Sequence, residues 1–412
     1  YGVKINNVQT TNSEKGQLEE LIEFYNAIKN GTNSVANRAS NRDKFCSKWG
    51  VQKMKGNDIA VIGMYPPPIG GVSIHVERLT KYLKENNKNF ILYDTSKMDK
   101  DIKINYECIR NMKLWLIKYL FTCNDKIIHL HEKNWYIVAI ICFIAKAHKS
   151  KVILTVHSFR EEPFEFNFIK KFAFKYSIKN LDYLISVGEN EKNKLIKYGC
   201  KTDKIYLIPA YIHPEYEKND DLLIPNYTWE FINNKSFIIC ANASKLSFYN
   251  NEDLYGLDMC VELCYKLKIK YKDKKIGFIF CLPDVGDYEY YEKVQKRTNE
   301  LKINNEFLLV NEKIPLYPIL KKSNLFIRPT NTDGDAVSIR EALYYKVPAI
   351  ASDVVKRPED AVLFKSRDMD DLYNKTVDVI ENHDSHKDKL KDVVIEDNAE
   401  KIMNVYKEVM KR

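Results

Sequence analysis

Apolar residues in this chain fall into short unbroken runs, separated by longer segments in which they recur at helical spacing. From Asp58 onward such runs predict strands at 59–63, 90–93, 126–130, 151–156 and 183–187. A helix is expected between the first two, over about 72–86. Runs that do not alternate with polar residues are what strands covered on both faces look like, and a βαβ series of them implies a parallel sheet between helices. The series restarts after 205–209, with 210–214 as the crossover and new strands at 237–241, 275–281, 307–309, 325–327 and 349–351. Two doubly wound α/β domains in succession leave a central cleft between the carboxyl ends of their sheets, where ligands bind in such folds.

The ends of the chain differ from this body. Leu18, Leu21, Ile22, Tyr25 and Ile28 recur at helical spacing, Gly31 is a plausible stop, and 30–41 is a polar linker. The expected organisation is an N-terminal helical extension over 1–56, domains over 57–208 and 209–390, and a segment 391–412 whose helix crosses back to the first domain.

Length and composition agree with two packed domains: 412 residues, 45% hydrophobic and 12% aromatic. A net charge of +9 favours anionic partners without choosing among nucleotide sugars, lipid surfaces and nucleic acids. The basic residues form no nucleic-acid-binding module, so nucleic acid is set aside. The nine cysteines include no CxxC pair. Cys142, Cys240 and Cys281 sit in apolar runs, and Cys260 and Cys264 share a helix face as core residues, which fits a reducing cytoplasm. The apolar stretch 135–145 is too short to span a bilayer and predicts a buried helix, and no secretory leader is legible.

The chemistry concentrates in Arg328-Pro329-Thr330-Asn331-Thr332-Asp333-Gly334-Asp335-Ala336-Val337-Ser338-Ile339-Arg340-Glu341. A strand ends, an acidic Gly-containing loop follows, and a helix starts near Ala336, whose free N–H groups form an anion site. Asp333 precedes the helix and Glu341 lies within it; ionised carboxylates only accept hydrogen bonds, which suits sugar and ribose hydroxyls. Asp333-x7-Glu341, followed by Val347-Pro348-Ala349-Ile350-Ala351-Ser352-Asp353, resembles the E-x7-E region of glycosyltransferase family 4. Asp stands here for the first Glu, and Asp335-Ala336 for a common Phe-Gly. The stretch Tyr65-Pro66-Pro67-Pro68-Ile69-Gly70-Gly71-Val72-Ser73-Ile74-His75-Val76 resembles that family's Gly-Gly loop, where glycine lets a ligand rest against the main chain. His157, in Leu154-Thr155-Val156-His157-Ser158, matches a family histidine that contacts the donor sugar, and His129 and His131 help shape the cleft without acting as metal ligands.

The resemblance implies a GT-B fold, two Rossmann-like domains facing each other, the first for the acceptor and the second for a nucleotide-sugar donor. It implies retention of anomeric configuration with no metal and no cofactor, the co-substrate being a nucleotide sugar, foremost a UDP-sugar. Glu341 would hold the ribose, Asp333 and His157 the transferred hexose, and Gly70 and Gly71 the region where donor and acceptor meet. Gly334, Asp335, Ala336 and Val337 would complete the donor site. The chain departs from the family at the diphosphate clamp: Tyr255 replaces a Lys before Gly256, and a small residue replaces an Arg. Lys245, Arg328 and Arg357 are the candidate cations, since charge builds on the leaving diphosphate.

For the acceptor, Trp115, Leu116, Tyr119, Leu120 and Phe121 interleave with Lys113 and Lys118. Phe166, Phe168, Phe172, Phe174 and Tyr176 interleave with Lys170, Lys171, Lys175 and Lys179. Either set would rest on an anionic membrane and present a lipid-linked acceptor, or else would be core aromatics beside solvated lysines. The function implied is a cytoplasmic hexosyltransferase, peripheral on the inner face of the membrane, acting on a glycan or lipid-linked acceptor in surface polysaccharide or glycolipid synthesis. Two alternatives share the architecture: a non-hydrolysing nucleotide-sugar epimerase, and a non-catalytic sugar-nucleotide-binding subunit.

Overall fold

The computed structural model describes residues 56–214 and 220–411. The expected N-terminal helix and Cys46 lie outside the described residues. Gly56–Leu116 and Asn124–Arg412 form one compact unit; Ile117–Cys123, the later part of α2, is assigned to the other unit.

The first domain runs β1 (Ile59–Gly63), α1 (Gly71–Glu85), β2 (Phe90–Asp94), β3 (Tyr106–Cys108), α2 (Met112–Thr122), β4 (Ile127–Leu130), α3 (Trp135–His148), β5 (Lys151–Val156), α4 (Phe168–Asn180), β6 (Tyr183–Ser186), α5 (Glu189–Lys197) and β7 (Ile205–Leu207). Its seven strands pair in the order β3-β2-β1-β4-β5-β6-β7, every pair parallel. The second domain contains α6 (Asn226–Asn233), β8 (Phe237–Asn242), a hairpin of β9 (Phe248–Tyr249) and β10 (Glu252–Asp253), α7 (Leu257–Lys270), β11 (Ile276–Cys281), α8 (Tyr288–Glu300), β12 (Phe307–Val310), α9 (Tyr317–Lys322), β13 (Leu325–Arg328), α10 (Val337–Tyr344), β14 (Ala349–Ser352), β15 (Val362–Phe364), α11 (Met369–Glu381) and α12 (His383–Lys389). Its six-stranded parallel sheet has the order β12-β11-β8-β13-β14-β15.

The central strands β1, β4, β11 and β13 are buried at every position, and β8 at all but its last, as helices on both faces require. Helix starts are fixed locally: Asn134, Asn167, Asp287 and Asp368 each accept a backbone N–H of the first turn of α3, α4, α8 and α11. The closing helix α13 (Ala399–Lys411) puts Ile402, Met403, Val405, Tyr406 and Val409 into the same core as Ile59, Val61, Leu92 and Ile153 of the first sheet. Each such side chain stabilises by roughly 1.5–3 kcal/mol. Asn398 Nδ2 ties the start of α13 to the crossover by donating to Tyr211 O at 2.9 Å.

The fold is thus the expected pair of doubly wound domains. Sequence reading does not resolve β3 or β15, edge strands three residues long and only partly buried: β3 lacks an apolar run, and that of β15 is only four residues long. It also expects α3 to be buried throughout. One face is, but Tyr136, Ile140 and Phe143 are 36–44% exposed. Among the described residues no helix is long and apolar enough to cross a membrane.

Candidate active site

The Gly-Gly loop is held at the carboxyl end of the first sheet. Tyr65 N donates to the buried Asp94 Oδ1 at 3.0 Å, at the end of β2. Ser73 Oγ accepts from Gly70 N at 2.9 Å and donates to Pro68 O at 2.7 Å, which folds the loop onto the first turn of α1. Gly71 faces open space.

Beside this loop four histidines form a packed group. His75 from α1, His129 and His131 from β4 and its end, and His157 from the end of β5 have ring centroids 4.3–5.3 Å apart in the pairs that touch. His75 Nδ1 lies 2.6 Å from Ala210 O; a carbonyl only accepts, so Nδ1 carries the proton and Nε2 presents a lone pair. His129 is satisfied on both sides, by Tyr406 Oη at 2.5 Å and Thr155 Oγ1 at 2.7 Å. One proton joins His131 Nδ1 and His157 Nε2 at 3.0 Å. His75 Nε2 and His131 Nε2 are buried and have no partner among the described residues. Burial lowers the His75 pKa to about 4 and that of His129 to about 3, and holds His131 and His157 well below the usual range. All four are therefore neutral near pH 7.

In the second domain Asp333 sits in the loop between β13 and α10. Its Oδ2 accepts from Arg357 Nη1 at 3.0 Å, Thr330 Oγ1 at 3.2 Å and Arg328 Nε at 3.3 Å. Burial works against its charge, yet Arg328 and Arg357 outweigh it and hold the pKa at about 2. Arg357 also donates from Nε to Ser352 O and from Nη2 to Thr330 Oγ1 and Ser352 Oγ. Arg328 donates to Asn242 O at 3.1 Å and lies 5.0 Å over the Tyr255 ring, whose hydroxyl meets Ser244 Oγ at 2.8 Å. Both arginines are thus committed within the domain, whereas Lys245 is exposed. Tyr255 stacks on a cation where the family carries one itself. Gly256 follows with φ +69°, 2.4 Å being all that a Cβ there would have from Pro329 O, so only glycine fits.

Among the described residues the two halves and the crossover between them meet at several points. A Cβ on Gly334 would lie 2.2 Å from His157 O, so the acidic loop packs main chain to main chain against the end of β5. A Cβ on Gly70 would lie 3.5 Å from Ser244 Cβ, which sets the Gly-Gly loop against the loop after β8. Asp335 accepts from Ala210 N at 2.9 Å and from Arg340 Nε at 2.7 Å; burial still raises its pKa, against the pull of Arg340. Arg78 of α1 ion-pairs with Glu341 of α10. Ala336 and Val337 are buried at the start of α10, which has no side-chain cap. The structure therefore gathers Gly70, His157, Gly334, Asp335 and Glu341 around one junction, with Asp333 of the same acidic loop held by Arg328 and Arg357.

Sequence reading misses Arg78 and gives His75, at the end of the Gly-Gly motif, no role. The available signal was spacing: His75 and Arg78 are three apart on a helix that opens with Gly71, so they share a face. A cavity of about 380 Å³ between α8 and β12, lined by Tyr291, Val294, Gln295 and Asn304, contains none of these residues.

Could the histidines hold a metal? His75, His131 and His157 offer ring nitrogens within 4.8 Å of one another, the one such group among the described residues. Tetrahedral zinc needs them at roughly 3.4 Å and would break the His131–His157 bond. Three neutral imidazoles are also a donor set that zinc accepts, so the group offers its lone pairs to a metal ion or to hydroxyls.

Residues 69–216 match glycosyltransferase family 4. An uncharacterised glycosyltransferase of Methanocaldococcus jannaschii is 26% identical over 76% of this chain and 73% of its own length. Among solved structures, a glycosyltransferase from Rickettsia africae superposes with a TM-score of 0.66 at 15% identity, covering 87% of this chain and all of that one. The Anabaena protein HepE in complex with UDP-glucose gives 0.61 at 11% identity over 86% of this chain and 98% of its own. Two parallel sheets meeting at this junction are a GT-B fold, and the family match and the Methanocaldococcus relative make the protein a glycosyltransferase. Within that class the chain is family 4-like; the matched residues include the Gly-Gly loop and His157, and Asp333 and Glu341 lie beyond them.

Proposed function

We propose that the protein is a retaining, metal-independent hexosyltransferase that uses a nucleotide-sugar donor, foremost a UDP-sugar. The acceptor is a glycan or lipid-linked sugar of surface polysaccharide or glycolipid synthesis. The observation that carries the reading is the packing of Gly334 on His157 O, which brings the acidic loop of one domain against the strand-end histidines of the other. HepE, which binds UDP-glucose, supports the donor class.

In this reading Glu341 accepts from the ribose hydroxyls. His157 and Asp333 face the hexose, the first as a neutral imidazole able to donate or accept, the second as a carboxylate kept ionised by its two arginines. As the bond from the anomeric carbon to the diphosphate breaks, negative charge grows on the leaving oxygen. Lys245 and the uncapped first turn of α10 compensate it. Arg328 and Arg357 act indirectly, by fixing Asp333. The acceptor hydroxyl attacks from the side of the Gly-Gly loop, where His75 and His131 present unpartnered nitrogens.

The acceptor side also carries an apolar, basic surface. Phe164, Phe168, Ile169 and Phe172 are 66–86% exposed, next to Lys171 and Lys175, whereas Trp115 and Phe174 are core. We assign this face of α4 to an anionic membrane surface that supplies the lipid-linked acceptor. The direct test of the chemistry is the anomeric configuration of the product, read by NMR with EDTA present. A product of the donor's own configuration supports the reading. Inversion, or loss of activity on chelation that added metal restores, overturns it.

A further inference from the structure

Glu341 does not stand alone in the cleft. Its Oε1 is taken by Arg78 Nη2, and the two side chains are 10% (Arg78) and 5% (Glu341) exposed. Arg78 Nη1 donates at 2.9 Å to Ile212 O, in the crossover between the domains. Its guanidinium lies 6.0 Å from the ring of the buried Tyr211. Glu341 Oε2 has no protein partner among the described residues. One arginine from the first domain therefore binds the crossover with one nitrogen and the second domain's carboxylate with another.

A carboxylate on a helix rotates about its side-chain torsions, and holding one oxygen fixes where the other points. An ammonium could supply the charge, but not two hydrogen bonds in a fixed plane to two different acceptors. We propose that Arg78 is a positioning residue for the donor: it orients Glu341 so that Oε2 meets a ribose hydroxyl. Because its other anchor is Ile212, it also makes ribose recognition depend on the two domains holding this arrangement. The inference rests on the reading of Glu341 as the ribose ligand.

The test uses isothermal titration of the full chain with UDP, ADP and GDP and with the 2′-deoxy and 3′-deoxy counterparts of each. Wild type, Arg78→Met, Arg78→Lys and Glu341→Gln are compared. Wild type is expected to prefer the best ribonucleotide over at least one deoxy form by on the order of tenfold or more, the size of a hydrogen bond to a charged group. Arg78→Met is expected to lose most of that preference and Arg78→Lys part of it, with kcat at saturating donor affected less than KM. A merely structural role would weaken ribo and deoxy forms alike and leave their ratio intact.

If Arg78→Met keeps the full ratio while Glu341→Gln loses it, the positioning role is wrong and the ribose assignment stands. If Glu341→Gln also keeps the ratio, or wild type shows none, the ribose assignment itself fails and takes the positioning role with it. Should Arg78→Met not fold, Arg78→Lys is read by the same ratio.

Discussion

Replacing Asp333 with Asn removes one negative charge from between two arginines at nearly unchanged volume. Asp333 is 11% exposed and its partner Arg357 2%, so water screens the interaction little. The folded pKa of about 2 lies below the ordinary 3.8. At 1.36 kcal/mol per pH unit, that difference is roughly 2.4 kcal/mol of stability. The folded pKa is the depressed one, so this stability is complete above about pH 4 and is lost as the pH falls through about 2. Asparagine also leaves the buried Arg357 without its counter-charge, and breaking such a pair costs about 3–5 kcal/mol. Urea unfolding of wild type and Asp333→Asn should therefore show a gap of about that size at pH 7. The gap should hold to about pH 5 and narrow by roughly 1 kcal/mol by pH 3, as Asp333 of the unfolded wild-type chain takes up a proton that the folded chain does not. A gap below about 1 kcal/mol at pH 7, or one unchanged between pH 5 and pH 3, would refute the claim that the arginines hold this carboxylate ionised.

His75 should make stability pH-dependent in the opposite range. Its pKa is about 4 folded and 6.5 unfolded, so unfolding takes up a proton below pH 6.5 and stability falls by up to about 1.4 kcal/mol per pH unit towards 4. His75→Asn, which can still donate to Ala210 O, should flatten that slope between pH 6 and 5 in urea titrations; an unaltered slope contradicts the buried neutral imidazole. Gly334→Ala places a methyl 2.2 Å from His157 O, so the two loops must part; kcat/KM should drop by roughly a hundredfold, and near-wild-type activity would show that their contact is not needed. Phe168→Ser with Phe172→Ser should weaken binding to phosphatidylglycerol vesicles at least about tenfold in a flotation assay, since each phenylalanine contributes roughly 1.5–3 kcal/mol when buried. Equal flotation of variant and wild type would remove α4 as the membrane face.

Much of the fold is legible because its central strands are buried on both faces and so must be apolar at nearly every position. The runs at 151–156 and 237–241 mark β5 and β8 to within a residue for that reason. The edge strand β3 escapes: Tyr106-Glu107-Cys108 is only partly buried and needs no apolar run, whereas the edge strands β7 and β12 are apolar enough to be read. At the site, Asp333, Glu341 and the Gly-Gly loop are readable as motifs, but their partners are not. Arg357 follows Asp333 by 24 residues and looks equally suited to a diphosphate, until its hydrogen bonds to Ser352, Thr330 and Asp333 are counted. Arg78 is 263 residues from Glu341, a pairing that spacing along the chain cannot suggest. The aromatic-basic segments show the same limit. Burial separates Trp115 and Phe174, which are core, from Phe168 and Phe172, which are exposed, although the two runs read alike.

The most direct test of the central claim is calorimetric binding and nucleotide release with UDP-, GDP- and ADP-sugars in EDTA, for wild type and Glu341→Ala. The expected result is that one donor, a UDP-sugar first among them, binds wild type and slowly releases its nucleotide without metal, and that Glu341→Ala loses both. Binding of no nucleotide sugar by wild type, or unchanged binding and release by Glu341→Ala, would contradict a donor site at Asp333 and Glu341.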